Sequence, residues 1–316
     1  MRTFARLLAP LAALALLGTG CASTTPTDET PSAAATTVTI DHAQGAATLP
    51  QDPASVVVLD YASLDTLNEL GLSDRVTGVA NGTLPETLSV YADVERIGSS
   101  QEPDIEAIAA LDPDAIIISG RSSAKYAELN EVAPTIDLSS HTYEPVEVLT
   151  NSVTALGRLF AVEDAAQAEL DEVTALIEAT RAGMSTENTG LILMTTGGKL
   201  SAYGPGARFG SLIHDALGVP AAAPDLSREE SHGQAVSFEF LAETNPGALY
   251  VIDRDAAIGQ QGDSAQQLLD NPLVHRTDAW THDRVTYLDG GSWYIVGYGL
   301  ANTKSMINDV AGTLAS

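Results

Sequence analysis

The stretch EDAAQAELDEVTALIEATRAG (Glu163–Gly183) predicts one long amphipathic helix near the middle of the chain. Its apolar residues recur at helical spacing and form a single stripe, which comprises Ala166, Leu170, Val173, Leu176 and Ile177. Glu163 and Asp164 favour a helix start, whereas Arg181 and Gly183 favour a helix end. We therefore predict a linking helix over residues 163–184.

A sequence repeat lies on both sides of this helix. DIEAIAALDPDAIIIS (Asp104–Ser119) and SFEFLAETNPGALYVID (Ser237–Asp253) share a glutamate, an alanine, a proline and a second alanine at the same spacing. Each copy predicts a short helix, a proline break and a buried strand, the repeating unit of a parallel α/β sheet. The predicted fold is therefore α/β, with two Rossmann-like α/β lobes (38–162 and 185–316) joined by a single long α-helix and a ligand cleft between them.

The N-terminus has the features of a bacterial export signal. Arg2 and Arg6 precede the apolar run LLAPLAALALL (Leu7–Leu17), which is too short to span a bilayer. Cys21, the only cysteine, follows small residues as in a lipobox, although Gly18 stands where leucine is usual. We predict a signal peptide over 1–20 and a lipid anchor at Cys21 on the outer face of the cell membrane. The alternative is a soluble exported protein that is cut elsewhere.

The segment that follows has the composition of a disordered tether. Residues 21–37 contain mostly Ser, Thr, Pro and Ala, which cannot bury enough apolar surface to fold. The whole chain carries a net charge of −27, which argues against nucleic acid or an anionic membrane surface as a partner.

Motifs of catalysis and of metal transport are missing from the sequence. There is no GxSxG, no HExxH and no Walker loop, and the predicted mature body has no cysteine nucleophile, so we expect no enzymatic activity. The six histidines are scattered, which argues against a direct carrier of Zn or Mn.

Local patterns predict the remaining elements. The predicted strands are Val56–Leu59, Val76–Val79, Ala115–Ile118, Thr135–Leu138, Leu191–Thr195, Ala248–Ile252 and Val285–Leu288. Six further helices are predicted. In the first lobe they are Ser63–Leu70, with Ser63 as its cap, a helix that follows Arg121 and ends near Val132, and a helix that carries Leu149, Val153, Leu156 and Phe160 on one face. In the second lobe they lie near Ser211–Leu217, Asp263–Leu269 and Ala301–Leu314.

Three arginines stand where an open α/β sheet binds its ligands. Arg121 and Arg254 follow equivalent strands of the repeat, and Arg208 lies in the glycine-rich turn of SAYGPGARFGSLIHDALG (Ser201–Gly218). One arginine alone would be read as a surface cation, but three at such positions in so acidic a chain predict a cationic cleft. The glycine spacing in the turn is one residue longer than the dinucleotide fingerprint, so NAD is not expected. His232 and Tyr294 lie in loops, where spacing alone favours a surface histidine and a packing tyrosine.

The chain resembles the class III, helical-backbone substrate-binding lipoproteins of ABC importers, in the branch that carries iron-siderophores of the catecholate and petrobactin kind. The resemblance runs from about Val38 to the C-terminus. It rests on SGRSSAKYAELNEVAPTIDL, SAYGPGARFGSLIHDALGV, HGQAVSFEFLAETNPGALYVIDRDAAIG and VTYLDGGSWYIVGYGL. One departure is Tyr298, which interrupts the glycines that often follow the Trp-Tyr pair in that branch.

The resemblance implies a role for each candidate residue. Arg121, Arg208 and Arg254 would contact catecholate oxygens. His232 and Tyr294 would complete the coordination of Fe(III), with Trp293 beside them in the site. Glu106 and Glu239 would dock onto the ABC permease.

The implied function is extracytoplasmic capture of a ferric siderophore, most simply a catecholate, by a monomer with no resident cofactor. Haem, cobalamin and a ferric hydroxamate remain alternative ligands of the same fold. A tetradentate catecholate leaves two iron positions open for His232 and Tyr294, whereas a hexadentate one leaves none and gives the binding to the arginines.

Overall fold

The computed structural model describes residues 36–82, 84–184, 187–228 and 232–314. The predicted signal peptide, Cys21 and nearly all of the predicted tether lie outside these ranges. Thr37, the last residue assigned to the tether, already belongs to a strand. No helix in the described ranges combines the length and apolar character needed to cross a membrane.

The first sheet has five parallel strands in the order β5-β4-β3-β6-β7. Its strands are β3 (Val56–Val58), β4 (Val76–Val79), β5 (Glu95–Arg96), β6 (Ala115–Ile118) and β7 (Thr135–Asp137). An antiparallel hairpin of β1 (Thr37–His42) and β2 (Gly45–Pro50) precedes it and was not predicted. The helices of this part are α1 (Tyr61–Glu69), α2 (Ile105–Ala110), α3 (Tyr126–Asn130) and α4 (Pro145–Leu159).

The second sheet is mixed, with the order β10-β9-β8-β11-β12. Its strands are β8 (Gly190–Thr196), β9 (Lys199–Tyr203), β10 (Gln234–Val236), β11 (Ala248–Asp253) and β12 (Val285–Leu288). The strands β8, β11 and β12 are parallel as predicted, whereas β9 and β10 are antiparallel additions that the repeat did not predict. Its helices are α6 (Phe238–Thr244), α7 (Arg254–Ala257), α8 (Ala265–Leu269), α9 (Asp278–Thr281) and α10 (Leu300–Leu314).

The linking helix α5 (Glu163–Gly183) is confirmed, and it stands between the two sheets in the chain. Ala166, Leu170, Val173 and Ile177 are buried as the stripe predicted. Gly157 of α4 lets α5 approach closely, because a Cβ there would lie 2.8 Å from Cβ of Ala166. The fold class is therefore confirmed, as two sheets on either side of one long helix.

One local prediction was wrong. The N-cap of α1 is Asp60 and not Ser63, because both the backbone nitrogen and the hydroxyl of Ser63 donate to the Asp60 carboxylate. The predicted apolar face of α4 is buried along its whole length: Leu149 and Val153 pack with the core of the second sheet, and Leu156 and Phe160 pack with the core of the first. The helix α4 thus contacts both cores, and the exact lobe boundaries remain a prediction.

Three helices meet at one lysine. Lys304 of α10 donates to Glu69 of α1 at 3.2 Å and to Glu172 of α5 at 3.0 Å, and it also contacts Glu169 of α5. The last helix is therefore tied both to the linking helix and to a helix of the first lobe.

Candidate functional site

Each of the three predicted arginines follows an element that ends at the same region of the molecule. Arg121 comes three residues after β6, and Arg254 directly follows β11, so both stand at the carboxyl ends of parallel strands. Arg208 precedes a π-helical turn, Ser211–Ala216, that follows β9. The repeat thus places two of the cations by symmetry, and the glycine-rich turn supplies the third.

Tyr294 is the residue on which all three arginines converge. Nη2 of Arg121 and Nη2 of Arg208 donate to the Tyr294 carbonyl at 3.0 and 3.1 Å. Nε of Arg254 donates to the Tyr294 phenol oxygen at 2.8 Å. One tyrosine therefore accepts hydrogen bonds from cations of both lobes.

The aromatic ring of Tyr294 is surrounded by the same cations. The guanidinium carbons of Arg208, Arg254 and Arg121 lie 4.8, 5.4 and 5.9 Å from its centroid. Such distances are those of cation–π contacts, which lessen the repulsion among the three positive charges. Tyr294 is only 7% exposed, so its ring fills the space among the guanidinium groups.

The positive charge of this cluster is poorly neutralised by carboxylates. Within the described ranges Arg121 and Arg208 form no ion pair, and Arg254 is 4.0 Å from Asp255. Burial raises the pKa of the Asp60 carboxyl, while the hydrogen bonds from Ser63 and the charge of Arg121 lower it. In a chain with a net charge of −27, this is a local excess of cations that suits an anionic ligand.

Two cavities adjoin the arginine cluster, one lined by Arg121 and Arg254 and the other by Arg208. One, of about 250 Å³, is lined by Arg121, Arg254, Tyr294, Ile295, Ile258 and the segment Ser99–Gln101. The other, of about 290 Å³, has Arg208 together with the aromatic side chains Tyr143, Phe209, Trp293 and Tyr298 in its wall. The first cavity is the more polar, and the second offers flat apolar surfaces beside a single cation.

The remaining predicted site residues lie apart from this cluster to different degrees. His232 is exposed in the turn before β10, and no described contact joins it to Tyr294 or to any other side chain. Trp293 is 1% exposed in the core, and its indole N–H donates to Asp309 at 2.9 Å. Trp293 lines the second cavity together with Arg208, and its part in ligand binding stays a prediction.

Glu106 and Glu239 occupy equivalent places on the outside of the molecule. Each is exposed in the first turn of a short helix, α2 or α6, whose N-cap is Asp104 or Ser237. Neither glutamate forms an ion pair with a basic side chain of the described chain.

Of the aromatic residues in the wall of the second cavity, the sequence predicted only Trp293 as a site residue, and not Tyr143, Phe209 or Tyr298. The Tyr298 hydroxyl donates to the Arg208 carbonyl at 3.0 Å and so fixes the turn that carries this arginine. Phe209 lies under the Arg208 guanidinium at 4.8 Å. The aromatic interruption of the glycine-rich loop was the available signal for Tyr298, whereas Tyr143 lies in a loop without a repeat counterpart.

Comparison with known proteins gives consistent matches over most of the chain. A family model for periplasmic binding proteins matches residues 56–290. The petrobactin-binding protein YclQ of Bacillus subtilis is 40% identical over 265 residues, 83% of each chain. The ferric-anguibactin-binding protein FatB of Vibrio anguillarum is 30% identical over 285 residues, 87% of each chain.

Solved structures agree in fold. The crystal structure of YclQ superposes with a TM-score of 0.84 at 38% identity, covering 89% of this chain and 99% of that one. The catecholate-siderophore binding protein VctP of Vibrio cholerae superposes with a TM-score of 0.79 at 33% identity, covering 88% of this chain and 100% of that one.

Proposed function

The chain belongs to the periplasmic binding protein family, and from that premise we propose that it captures a ferric siderophore outside the cytoplasm for an ABC permease. The observation that carries the proposal is the convergence of Arg121, Arg208 and Arg254 on Tyr294. In the described part of the chain only Arg254 has an ion pair, at 4.0 Å from Asp255, so the three cations form a site that an anion completes. The names of the relatives, which bind petrobactin, anguibactin and catecholates, support an iron chelate as that anion.

The preferred ligand is a catecholate. Catecholate oxygens are negatively charged acceptors, and each charge-assisted hydrogen bond from an arginine is worth about 1.5–3 kcal/mol. On binding, Arg121 and Arg208 would exchange the Tyr294 carbonyl for ligand oxygens, which hold more charge. A neutral hydroxamate complex would gain little from that exchange.

Tyr294 and His232 are proposed as iron ligands when the siderophore is tetradentate. The Tyr294 phenol oxygen already accepts a hydrogen bond from Arg254, and it would bind iron as a phenolate. His232 is exposed in a turn and would have to approach the iron as the ligand enters. A hexadentate siderophore would need neither residue.

The remaining roles concern location and delivery. A lipid on Cys21 would hold the protein at the outer face of the cell membrane, with the segment between Cys21 and β1 as a tether. Glu106 and Glu239, one from each copy of the repeat, would contact the permease. The protein would act as a monomer with no resident cofactor.

Fluorescence quenching by a panel of ferric siderophores tests the proposed function. Ferric catecholates should quench strongly, because Trp293 directly precedes Tyr294, whereas ferric hydroxamates and ferric citrate should quench weakly. The variant Trp280→Phe is a matched control. Trp280 lies on helix α9 and its ring stacks on that of His275, with 4.2 Å between the ring centroids. This variant should retain the response. Quenching by hydroxamates alone, or by haem alone, would refute the catecholate assignment.

Visible spectra of the tetradentate complex test the iron ligands. Tyr294→Phe should remove a phenolate-to-iron charge-transfer band and lower the affinity, since one iron position passes to water. His232→Ala should weaken binding more at neutral pH than at acidic pH, where a protonated imidazole already cannot coordinate. A hexadentate complex is the control, and its spectrum should not change. An unaltered spectrum in both variants with every tetradentate catecholate would remove His232 and Tyr294 from the iron site.

A further inference from the structure

One buried side chain holds both ends of the turn that carries Tyr294. Asn302 donates its two amide hydrogens to the carbonyls of Ser292, at 2.9 Å, and Gly297, at 2.7 Å. Its amide oxygen accepts from the Ser292 hydroxyl at 2.7 Å. Ser292 lies inside the π-helical turn Gly291–Val296 and Gly297 directly follows it, so the two residues stand on either side of Tyr294. Asn302 is 3% exposed, and most of the hydrogen bonds that its side-chain amide can form go to this turn.

Asn302 is itself fixed by helix α1, which belongs to the first lobe. The Asp65 carboxylate accepts from the backbone nitrogen of Asn302 at 3.0 Å, and the Thr66 hydroxyl accepts from that of Leu300 at 3.3 Å. A side chain at Gly299 would prevent this seating, since its Cβ would lie 2.5 Å from a carboxylate oxygen of Asp65. The first turn of α10 therefore rests directly on α1.

We infer that Asp65 and Asn302 are positioning residues: Asp65, acting through Asn302, sets the place of Tyr294 in the cleft from the opposite lobe. Asp65 holds the backbone of Asn302, and the side chain of Asn302 holds the turn at Ser292 and Gly297. This turn then presents the Tyr294 carbonyl to Arg121 and Arg208, and the Tyr294 hydroxyl to Arg254. The inference rests on the proposed function for its consequence, but the geometric link can be tested without any ligand.

The chemistry of Asp65 fits a positioning role better than a simple packing role. Burial raises the pKa of Asp65 to about 6, the backbone hydrogen bond from Asn302 lowers it, and the charge of Glu69 raises it again. Glu69 is paired with Lys304 of α10, and the hydroxyl of Tyr91, the other titratable group nearby, donates to the Leu64 carbonyl. Burial thus disfavours the ionised carboxyl, and no cation pairs with Asp65 in the described chain. An apolar side chain would avoid that cost but could not hold the Asn302 backbone.

A purely local role would have a different signature. If Asp65 served only to cap α10, its loss would loosen the first turn of that helix and nothing else. If it positions the Tyr294 turn, the loss must also reach residues 291–297. Backbone amides inside this turn report the difference, because Trp293 donates to Asp289 at 2.9 Å and Gly297 donates to Ser292 at 3.0 Å.

Hydrogen–deuterium exchange of the ligand-free full chain is the direct test. In Asn302→Ala and Asp65→Ala, exchange of the peptide covering 291–297 should be at least about tenfold faster, while strands β8 and β11 stay unchanged. Thr303→Val is the matched control, because Thr303 is also buried in the first turn of α10 and its hydroxyl has no described partner. Ser292→Ala, which removes one of the three bonds to Asn302, should give a smaller increase and serves if Asn302→Ala does not fold.

Affinity for a ferric catecholate is the second readout. It should fall about tenfold in Asn302→Ala and Asp65→Ala, as one displaced hydrogen bond to a charged group predicts, and Asp65→Asn, which keeps an acceptor oxygen, should restore part of it. Faster exchange confined to the first turn of α10 in Asp65→Ala would overturn the inference. Faster exchange at 291–297 in a protein that binds no ferric siderophore would support the positioning role and refute the proposed function.

Discussion

Changing both Glu106 and Glu239 to alanine is expected to abolish siderophore uptake and to leave siderophore affinity unchanged. Both carboxylates are exposed, stand at equivalent places of the repeat and pair with no basic side chain in the described part of the chain. Their local role is a favourable interaction of an exposed carboxylate with a helix N-terminus, so their loss should not unfold the protein. Two carboxylates lost from a contact with permease arginines would remove charge-assisted hydrogen bonds on both sides at once.

The measurement is uptake of radiolabelled ferric siderophore by cells that carry only the variant, beside fluorescence quenching of the purified protein. Glu163→Ala with Glu178→Ala is the matched control. These two glutamates are also exposed, Glu163 also lies in the first turn of a helix, and the change in net charge is the same. Normal uptake by the Glu106 and Glu239 double variant would disprove docking through these residues, and an equal loss in the control would reduce the effect to net charge.

The repeat explains why so much of the architecture was predictable. Ala115–Ile118 and Ala248–Asp253 follow a proline in both copies and consist almost wholly of residues that favour buried strands, so helix, break and strand could be placed by pattern alone. The stripe of α5 was equally strong, because one of its faces packs on a core and the other carries acids. Such patterns report local burial, which a sequence shows directly.

The elements that were missed depend on pairing rather than on burial. The strands β9 and β10 pair antiparallel at one side of a sheet whose other pairs are parallel, and β1 and β2 form a hairpin at a glycine with a positive φ of 125°. Asp60 rather than Ser63 is the cap because α1 begins at Tyr61, so Ser63 already lies inside its first turn and donates to the Asp60 carboxylate. No periodic pattern in the sequence indicates which strands pair or which side chain caps a helix.

The sequence predicted the three arginines and Tyr294 as site residues, but it did not predict that the arginines meet on Tyr294. Positions after strand ends predicted Arg121 and Arg254, since parallel strands bring their carboxyl ends to one edge, and the glycine-rich turn predicted Arg208. That all three meet on Tyr294 could not be predicted, because the contacts join residues 40, 86 and 173 positions apart. The same limit hid the link from Asp65 to Asn302, which lie 237 positions apart.

Changing each cleft arginine to glutamine should lower the affinity for an anionic ferric catecholate by about 10- to 100-fold, as follows from 1.5–3 kcal/mol per charged hydrogen bond. Arg121→Gln and Arg208→Gln remove a donor that would pass from the Tyr294 carbonyl to the ligand, and Arg254→Gln removes the partner of the phenol oxygen. The affinity of the unaltered protein should also fall as salt is added, and this dependence should weaken in each variant.

Arg75→Gln is the control for the change in charge itself. Arg75 pairs with Asp52 at 3.1 Å and donates to the Pro53 carbonyl, at the amino ends of β3 and β4 and so at the opposite edge of the sheet from Arg121. Charges that far from the cleft are largely screened at physiological salt, so its affinity should match that of the unaltered protein. Titration by tryptophan quenching measures all four variants under one set of conditions. Unchanged affinity in the three cleft variants would mean that the arginines serve only to hold Tyr294, and an equal loss in Arg75→Gln would mean that net charge rather than the cleft attracts the ligand.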